Sequence, residues 1–355
     1  MIDFLTEYGL FLAKTLTLVL ALVLIVAGIA AVASRRKQLQ HEGHIEVRSL
    51  NEKYEDMLHA MEDAVLDELV IKQKIKAERK KEKAELKERK KAAKLGELDE
   101  DEGKKVFVLD FDGDIAASDV DKLREEITAI LCIARPEDEV VLRLESAGGM
   151  VHAYGLASSQ LERLRRKNIP LTICVDKVAA SGGYMMACIA NKLLAAPFAV
   201  VGSIGVVAQL PNFHRLLQKN EIDYEILTAG EYKRTLTMFG ENTDKGREKF
   251  VEELEETHTL FKDFVVEYRP ELDMSVVATG EIWYGCQAVK QKLVDDLMTS
   301  DEYLVEQAQE ADVYEVRYEE KKGLQDRIGE MAVNSSDSLM MRWWQRLNNR
   351  HFFTR

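Results

Sequence analysis

Between residues 105 and 190, apolar runs of β type alternate with helical periodicity at a spacing of roughly 30 residues, a rhythm that restricts the chain to an α/β domain with parallel strands. Residues 105–111 read as the first strand and 119–134 as a helix with Asp119 as its N-cap. A second strand follows at 139–144, a helix to 167, a third strand at 170–175, and a helix through Ala190. Folds of this kind put their sites in the loops after the C-terminal ends of strands. Two loops fit: Ser146-Ala147-Gly148-Gly149 and Ala179-Ala180-Ser181-Gly182-Gly183. A serine between a strand and a helix start, flanked by small residues, exposes its hydroxyl beside unpaired backbone N–H groups. Those are the parts of a nucleophile and an oxyanion hole.

The rest of the chain gives this domain a setting. Residues 15–33, TLTLVLALVLIVAGIAAVA, carry no charge and span about 28 Å as a helix, the thickness of a bilayer core. A transmembrane anchor is the expectation. The competitor is a cleaved leader ending at Ala31-Val32-Ala33, but the run exceeds the roughly 7–15 apolar residues of such leaders. Arg35, Arg36 and Lys37 follow the span, and by the positive-inside rule they put the later residues in the cytoplasm. Residues 45–95 read as helix throughout, with Tyr54, Leu58, Met61, Val65 and Leu69 as an apolar stripe that needs a partner. The net charge of −13 conceals a basic run at 72–94 holding twelve Lys or Arg against four Glu. Without interleaved aromatics this run reads as a solvated stalk or a headgroup contact, not a nucleic-acid site. Gly96–Gly103 is an acidic breaker. The expected organisation is thus an N-terminal segment at 1–34, a charged stalk at 35–104, an α/β domain carrying the two serine loops at 105–300 and an extension at 301–355. The tail 340–355, with four Arg and two aromatic pairs, suits either a membrane interface or a neighbouring protein surface.

The runs 175–207, 226–239 and 279–297 together resemble the signal peptide peptidase A family of membrane Ser/Lys proteases. The resemblance implies a Clp protease/crotonase-like α/β fold of repeated ββα units behind a transmembrane helix and stalk. It implies a serine endopeptidase in which Ser181 is the nucleophile and Lys233, in GEYKR, the general base. Ser203, in GSIGV, orients the lysine, and the N–H groups of Gly149 and Gly182 form the oxyanion hole. Where the family motif reads SPGG or TPGG, this chain has Ala147, which puts the stiffness of that loop in question. The resemblance further implies peptide substrates such as residual signal peptides or misfolded membrane-associated chains. It implies no cofactor and no metal, a closed homo-oligomer whose dyad is completed across subunits, and residence in the bacterial cytoplasmic (inner) membrane. Relatives work on its outer, periplasmic side, opposite to the side that the charges favour.

The chemistry of a Ser/Lys pair sets a condition on its surroundings. A lysine near its reference pKa of about 10.4 is protonated at neutral pH and cannot take a proton from serine. Desolvation lowers that value, and Ile226, Leu227, Tyr232, Leu236 and Met238 are the apolar residues available to wall off Lys233. Other readings stand beside this one. His152 and His214 leave a Ser-His-Asp triad open. VFVLDFDGDI (106–115) resembles the first motif of haloacid-dehalogenase-type, magnesium-dependent phosphatases, with Asp110 as nucleophile, but Asp114 stands where that motif has Thr or Val and Asp295-Asp296 is too generic to supply the metal site. A non-enzymatic membrane scaffold of the stomatin-operon kind is the third. Cys132, Cys174, Cys188 and Cys286 lack metal or disulfide spacing, and three of them sit in apolar runs that suit buried free thiols.

Overall fold

The computed structural model describes residues 14, 15, 17, 43–95 and 103–319. The chain divides into a body, 45–318, and a unit made of its two ends. The apolar segment 15–33, apart from Thr15 and Thr17, and the tail 340–355 lie outside the described residues. Among the described residues no helix is long and apolar enough to cross a membrane.

Among the described residues the body is built on the ten strands of one sheet, most of them parallel. In chain order these are β1 (His44–Ser49), β2 (Lys105–Gly113), β3 (Glu139–Ser146), β4 (Leu171–Val175), β5 (Val178–Ala180), β6 (Lys192–Ala195), β7 (Val200–Gly202), β8 (Ile282–Tyr284), β9 (Asp296–Leu297) and β10 (Asp312–Glu319). The main sheet runs β1-β10-β2-β3-β4-β6-β9, so the sheet extends beyond residues 105–300 on both sides. Residues of β2 alternate between two cores. Phe107, Leu109 and Phe111 face the larger one, covered by α3 (Val120–Leu131), α4 (Val151–Arg166), α5 (Gly182–Ala187) and the C-terminal part of α7 (Asp244–Tyr268). Val106 and Val108 face a smaller core with Val141, Cys174 and Leu194, closed by Leu50 and by Tyr303 and Leu304 of α10 (Ser300–Gln307). Burial on both faces explains why these strands read as continuous apolar runs.

A branch in this sheet positions the loops of interest. β4 pairs with the first half of β3, Val140–Arg143. The chain then shifts sideways, and β5 pairs with the end of β3 through Ser146 and Ala179. β5 continues in parallel to β7, which pairs antiparallel with β8. The parallel ends of β3, β5 and β7 therefore sit side by side, about 4.8 Å apart.

Two expectations fail. Where the sequence suggests helix throughout 45–95, the chain forms β1, then α1 (Leu50–Val65) and α2 (Glu68–Leu95). Ile45 and Val47 alternate as a strand requires, Ser49 caps α1 by accepting the Glu52 N–H, and Asp67 starts α2 by accepting the Leu69 N–H at 2.8 Å. The stripe Leu58, Met61, Val65 and Leu69 is exposed. Cys132, at the end of α3, is also exposed, while Cys174 and Cys188 are buried.

Candidate active site

Three strand ends converge with the same backbone habit. β3 leads into Gly148 at φ 88°, β5 into Ser181 at φ 52°, and β7 into Gly202 at φ 96° and Ser203 at φ 51°. For a residue with a Cβ this conformation is strained, and such strain is concentrated where a side chain must be aimed. Ser181, at ψ −118°, opens α5, with its own N–H bound to the Gly202 carbonyl at 2.8 Å. Because Ala180 pairs with Gly202, Ser203 begins one residue beyond the register position of Ala180. The Ser203 N–H is held by the Glu281 carbonyl at 2.7 Å.

The first loop touches the second directly. A Cβ on Gly148 would lie 2.8 Å from the Cβ of Ser181 and 2.7 Å from the Gly182 nitrogen, so only glycine permits the approach. Among the described residues, no backbone carbonyl engages the N–H of Gly149 or of Gly182. Sequence reasoning singles out Gly149 and passes over Gly148; its signal is the need for φ > 0 at a turn packed against another backbone. The structure thus brings together Ser181, Gly182, the 146–149 loop and the backbone of Ser203.

Among the described residues, Lys233 makes no hydrogen bond to Ser181 or Ser203. It is exposed, and its side chain makes no hydrogen bond or ion pair with any described residue. The apolar residues beside it do not close a pocket: Leu227 is 92% exposed, and Ile226, Tyr232 and Met238 are exposed as well. The segment that carries it is fastened to the start of α7. Lys245 bonds Glu231 at 2.5 Å, and the ammonium groups of Lys245 and Lys249 lie 5.8 and 5.7 Å from the Tyr232 ring centre. His258, farther along α7, meets the Ile204 carbonyl at 3.2 Å beside Ser203. Lys245 and Lys249 precede His258 by about 13–20 Å along the helix axis. The segment bearing Lys233 is therefore fastened to α7 about that far from the turn of the helix that meets Ile204.

The other sequence candidates have different employment. Neither His152 nor His214 hydrogen-bonds Ser181. Asp110 is clamped by Arg143, at 2.5 and 2.8 Å, and by Arg317 at 3.0 Å. Asp114 accepts both the N–H and the hydroxyl of Ser118, which holds its carboxyl below the usual range. Asp295 pairs with the buried Arg269 and accepts the Leu193 N–H. A carboxylate already saturated by guanidinium donors is a poor nucleophile or metal ligand.

Comparison with known proteins identifies the class. The N-terminal pattern of peptidase family S49 matches residues 3–161 and the pattern of peptidase family S49 itself matches 163–314. The chain belongs to peptidase family S49. Within it the chain falls in the SohB branch. It is 52% identical over 342 residues to "Probable protease SohB" of Haemophilus influenzae, covering 96% of each chain. It is 48% identical to "Probable protease SohB" of Buchnera aphidicola subsp. Schlechtendalia chinensis, over 85% of this chain and 99% of the other. Among solved structures, a mutant of the 1510-N membrane-bound stomatin-specific protease aligns with a TM-score of 0.37 at 15% identity, covering 57% of this chain and 84% of that one.

Proposed function

We propose that this peptidase is a serine endopeptidase that hydrolyses peptide bonds by acyl transfer through Ser181. The observation that carries the reading is the backbone of Ser181, strained at φ 52° and ψ −118° at the end of β5 with Gly148 packed against it. Ser181 Oγ attacks the scissile carbonyl carbon, and its proton passes to the neutral amine of Lys233. The carbonyl oxygen becomes an oxyanion that accepts the Gly149 and Gly182 N–H groups. Collapse of the adduct expels the amine half of the peptide, which takes the proton back from Lys233. Water then releases the acyl group by the same route. Ser203 orients the lysine. No cofactor or metal takes part.

The base comes from a neighbouring copy of the chain. The exposed position of Lys233 and the attachment of its segment to the start of α7 support this. So do the large apolar side chains left exposed on the same arm, Val207, Leu216, Ile222 and Leu227, which a partner surface would cover. Withdrawal from water is also what a neutral lysine requires. The peptidase domain, 105–300 extended by β10 and by β1 and α1, takes the Clp protease/crotonase-like plan. The succession β4-β5-α5, a main-sheet strand, a short branch strand and a helix, supports that reading. Segment 15–33 anchors the assembly in the cytoplasmic membrane, and its substrates are extended peptides, such as residual signal peptides or misfolded membrane-associated chains, bound by strand addition.

Co-expression tests the reading. Full-length Ser181→Ala and Lys233→Ala chains, differently tagged, are each inactive alone, and oligomers containing both recover part of the wild-type turnover. Turnover by Lys233→Ala alone, or none from the mixed oligomers, contradicts it.

A further inference from the structure

The loop Ser146–Gly149 carries alanine at 147, so proline does not stiffen it, yet it is held at both ends. At its start, Ser146 is 2% exposed at the end of β3. The Gly148 N–H donates to Ser146 Oγ at 3.0 Å. Ser146 Oγ in turn lies 2.5 Å from the hydroxyl of Tyr154, in the first turn of α4. The Tyr154 hydroxyl donates to the Asp114 carbonyl at 2.7 Å. A carbonyl only accepts, so the Tyr154 proton goes to Asp114, and the Ser146 hydroxyl donates to Tyr154 at 2.5 Å in preference to the Gly113 carbonyl at 3.5 Å. The bonds run one way, from the Gly148 N–H through Ser146 and Tyr154 to the Asp114 carbonyl. At the loop's other end the Met150 N–H is held by the Ile115 carbonyl at 2.9 Å, next to Asp114. The Ser146–Tyr154 link is buried and the bonds on either side of it are partly buried, so each bond polarises the next and leaving the central one unmade is costly.

The same side chain reaches the second loop. A Cβ on Gly182 would lie 2.4 Å from Cγ of the Tyr154 ring, so the ring is in contact with the backbone of Gly182. Tyr154 is fully buried and packs its ring edge-on to Phe111, which leaves it little freedom. Its hydroxyl thus fixes the segment carrying the Gly149 N–H, and its ring braces the segment carrying the Gly182 N–H.

We propose that Tyr154 is a positioning residue for the oxyanion hole, setting the distance between the two N–H donors and taking the place of a rigid loop residue at 147. The inference rests on the nucleophile reading above. Its consequence is confined to the transition state, because the donors must meet an oxyanion and not the ground-state carbonyl.

Tyr154→Phe in the full-length chain keeps the ring against Gly182 and removes the hydroxyl. The expected result is a kcat lowered at least about tenfold with KM within about twofold, the pattern for an interaction made only in the transition state. Affinity for a peptide boronic acid, whose tetrahedral adduct fills the hole, falls by the same factor. Adding Ala147→Pro recovers most of the loss. Ser146→Ala, which removes the acceptor of the Gly148 N–H and leaves the ring untouched, gives the same kcat effect and serves if Tyr154→Phe fails to fold. Wild-type kcat in either variant, a change in KM alone, or no recovery with Ala147→Pro overturns the inference. Ser181→Ala run in parallel separates the two readings: turnover by that variant removes the nucleophile itself, whereas an inactive Ser181→Ala beside an unaffected Tyr154→Phe removes only the role of the tyrosine.

Discussion

Gly148 and Ser181 approach so closely that a Cβ on the glycine would stand 2.8 Å from the Cβ of the serine, across two loops more than thirty residues apart in sequence. The contact joins the end of β3 to the end of β5 and sets the loop that carries Gly149 against the turn that carries Ser181 and Gly182. It explains why the first loop cannot be read as an ordinary strand-to-helix connection.

Gly148→Ala is expected to separate the loops. The residue sits at φ 88°, and its new methyl group would meet backbone atoms of Ala180 and Gly182 that cannot yield as a flexible side chain would. Loss of one oxyanion donor costs about 100-fold or more in kcat. Steady-state kinetics on a peptide substrate checks this. A variant with near-normal kcat would show that the loop does not serve the hole.

The strain at Ser181 makes a prediction about stability that is independent of chemistry. Ser181→Ala keeps a Cβ at φ 52° and so keeps the strain, whereas Ser181→Gly removes it. The glycine variant should be the more stable of these two inactive proteins by about 1 kcal/mol, after allowance for the larger entropy of glycine in the unfolded chain. Denaturant unfolding of both variants is the measurement, and a less stable glycine variant would mean that the backbone is not strained.

Glu126 predicts a pH dependence. It is 5% exposed on α3, where it accepts the Tyr318 N–H at 2.8 Å, and burial pushes its carboxyl up to about 7. The folded value lies above that of an unfolded glutamate, about 4.3, so the folded chain binds the proton more tightly. That contribution is complete below about pH 4 and is lost as the pH rises through about 7. Glu126→Gln keeps an acceptor for Tyr318 and cannot ionise. Its Tm should exceed the wild-type value by an increasing margin between about pH 5 and pH 8. A margin that does not change with pH would contradict the assignment.

Much of this architecture is legible in the sequence, because β2, β3 and β4 are buried on both faces and α7 carries its own start in the Thr243 cap. Strand β1 is not legible in the same way. Its pairing with β10 joins residues more than 260 positions apart, and its two apolar residues are too few to outweigh the helical pattern that follows. The serine loops can be seen as loops, but their contact cannot, since Gly148 gains its meaning only when the branch in the sheet brings β5 beside β3. Tyr154 is hidden for the same reason. On the helix it is one more apolar-face residue, and only the fold aims its hydroxyl at Ser146. Lys233 shows the reverse case. Its neighbours in sequence suggest a closed apolar pocket, but a single chain leaves them open to water.

The most direct test of the account is covalent labelling of the full-length protein with a fluorophosphonate, followed by mass mapping of the modified peptide. The account predicts one adduct, on Ser181, absent from Ser181→Ala and strongly slowed in Lys233→Ala. An adduct on another serine, or labelling undiminished in Ser181→Ala, would contradict it.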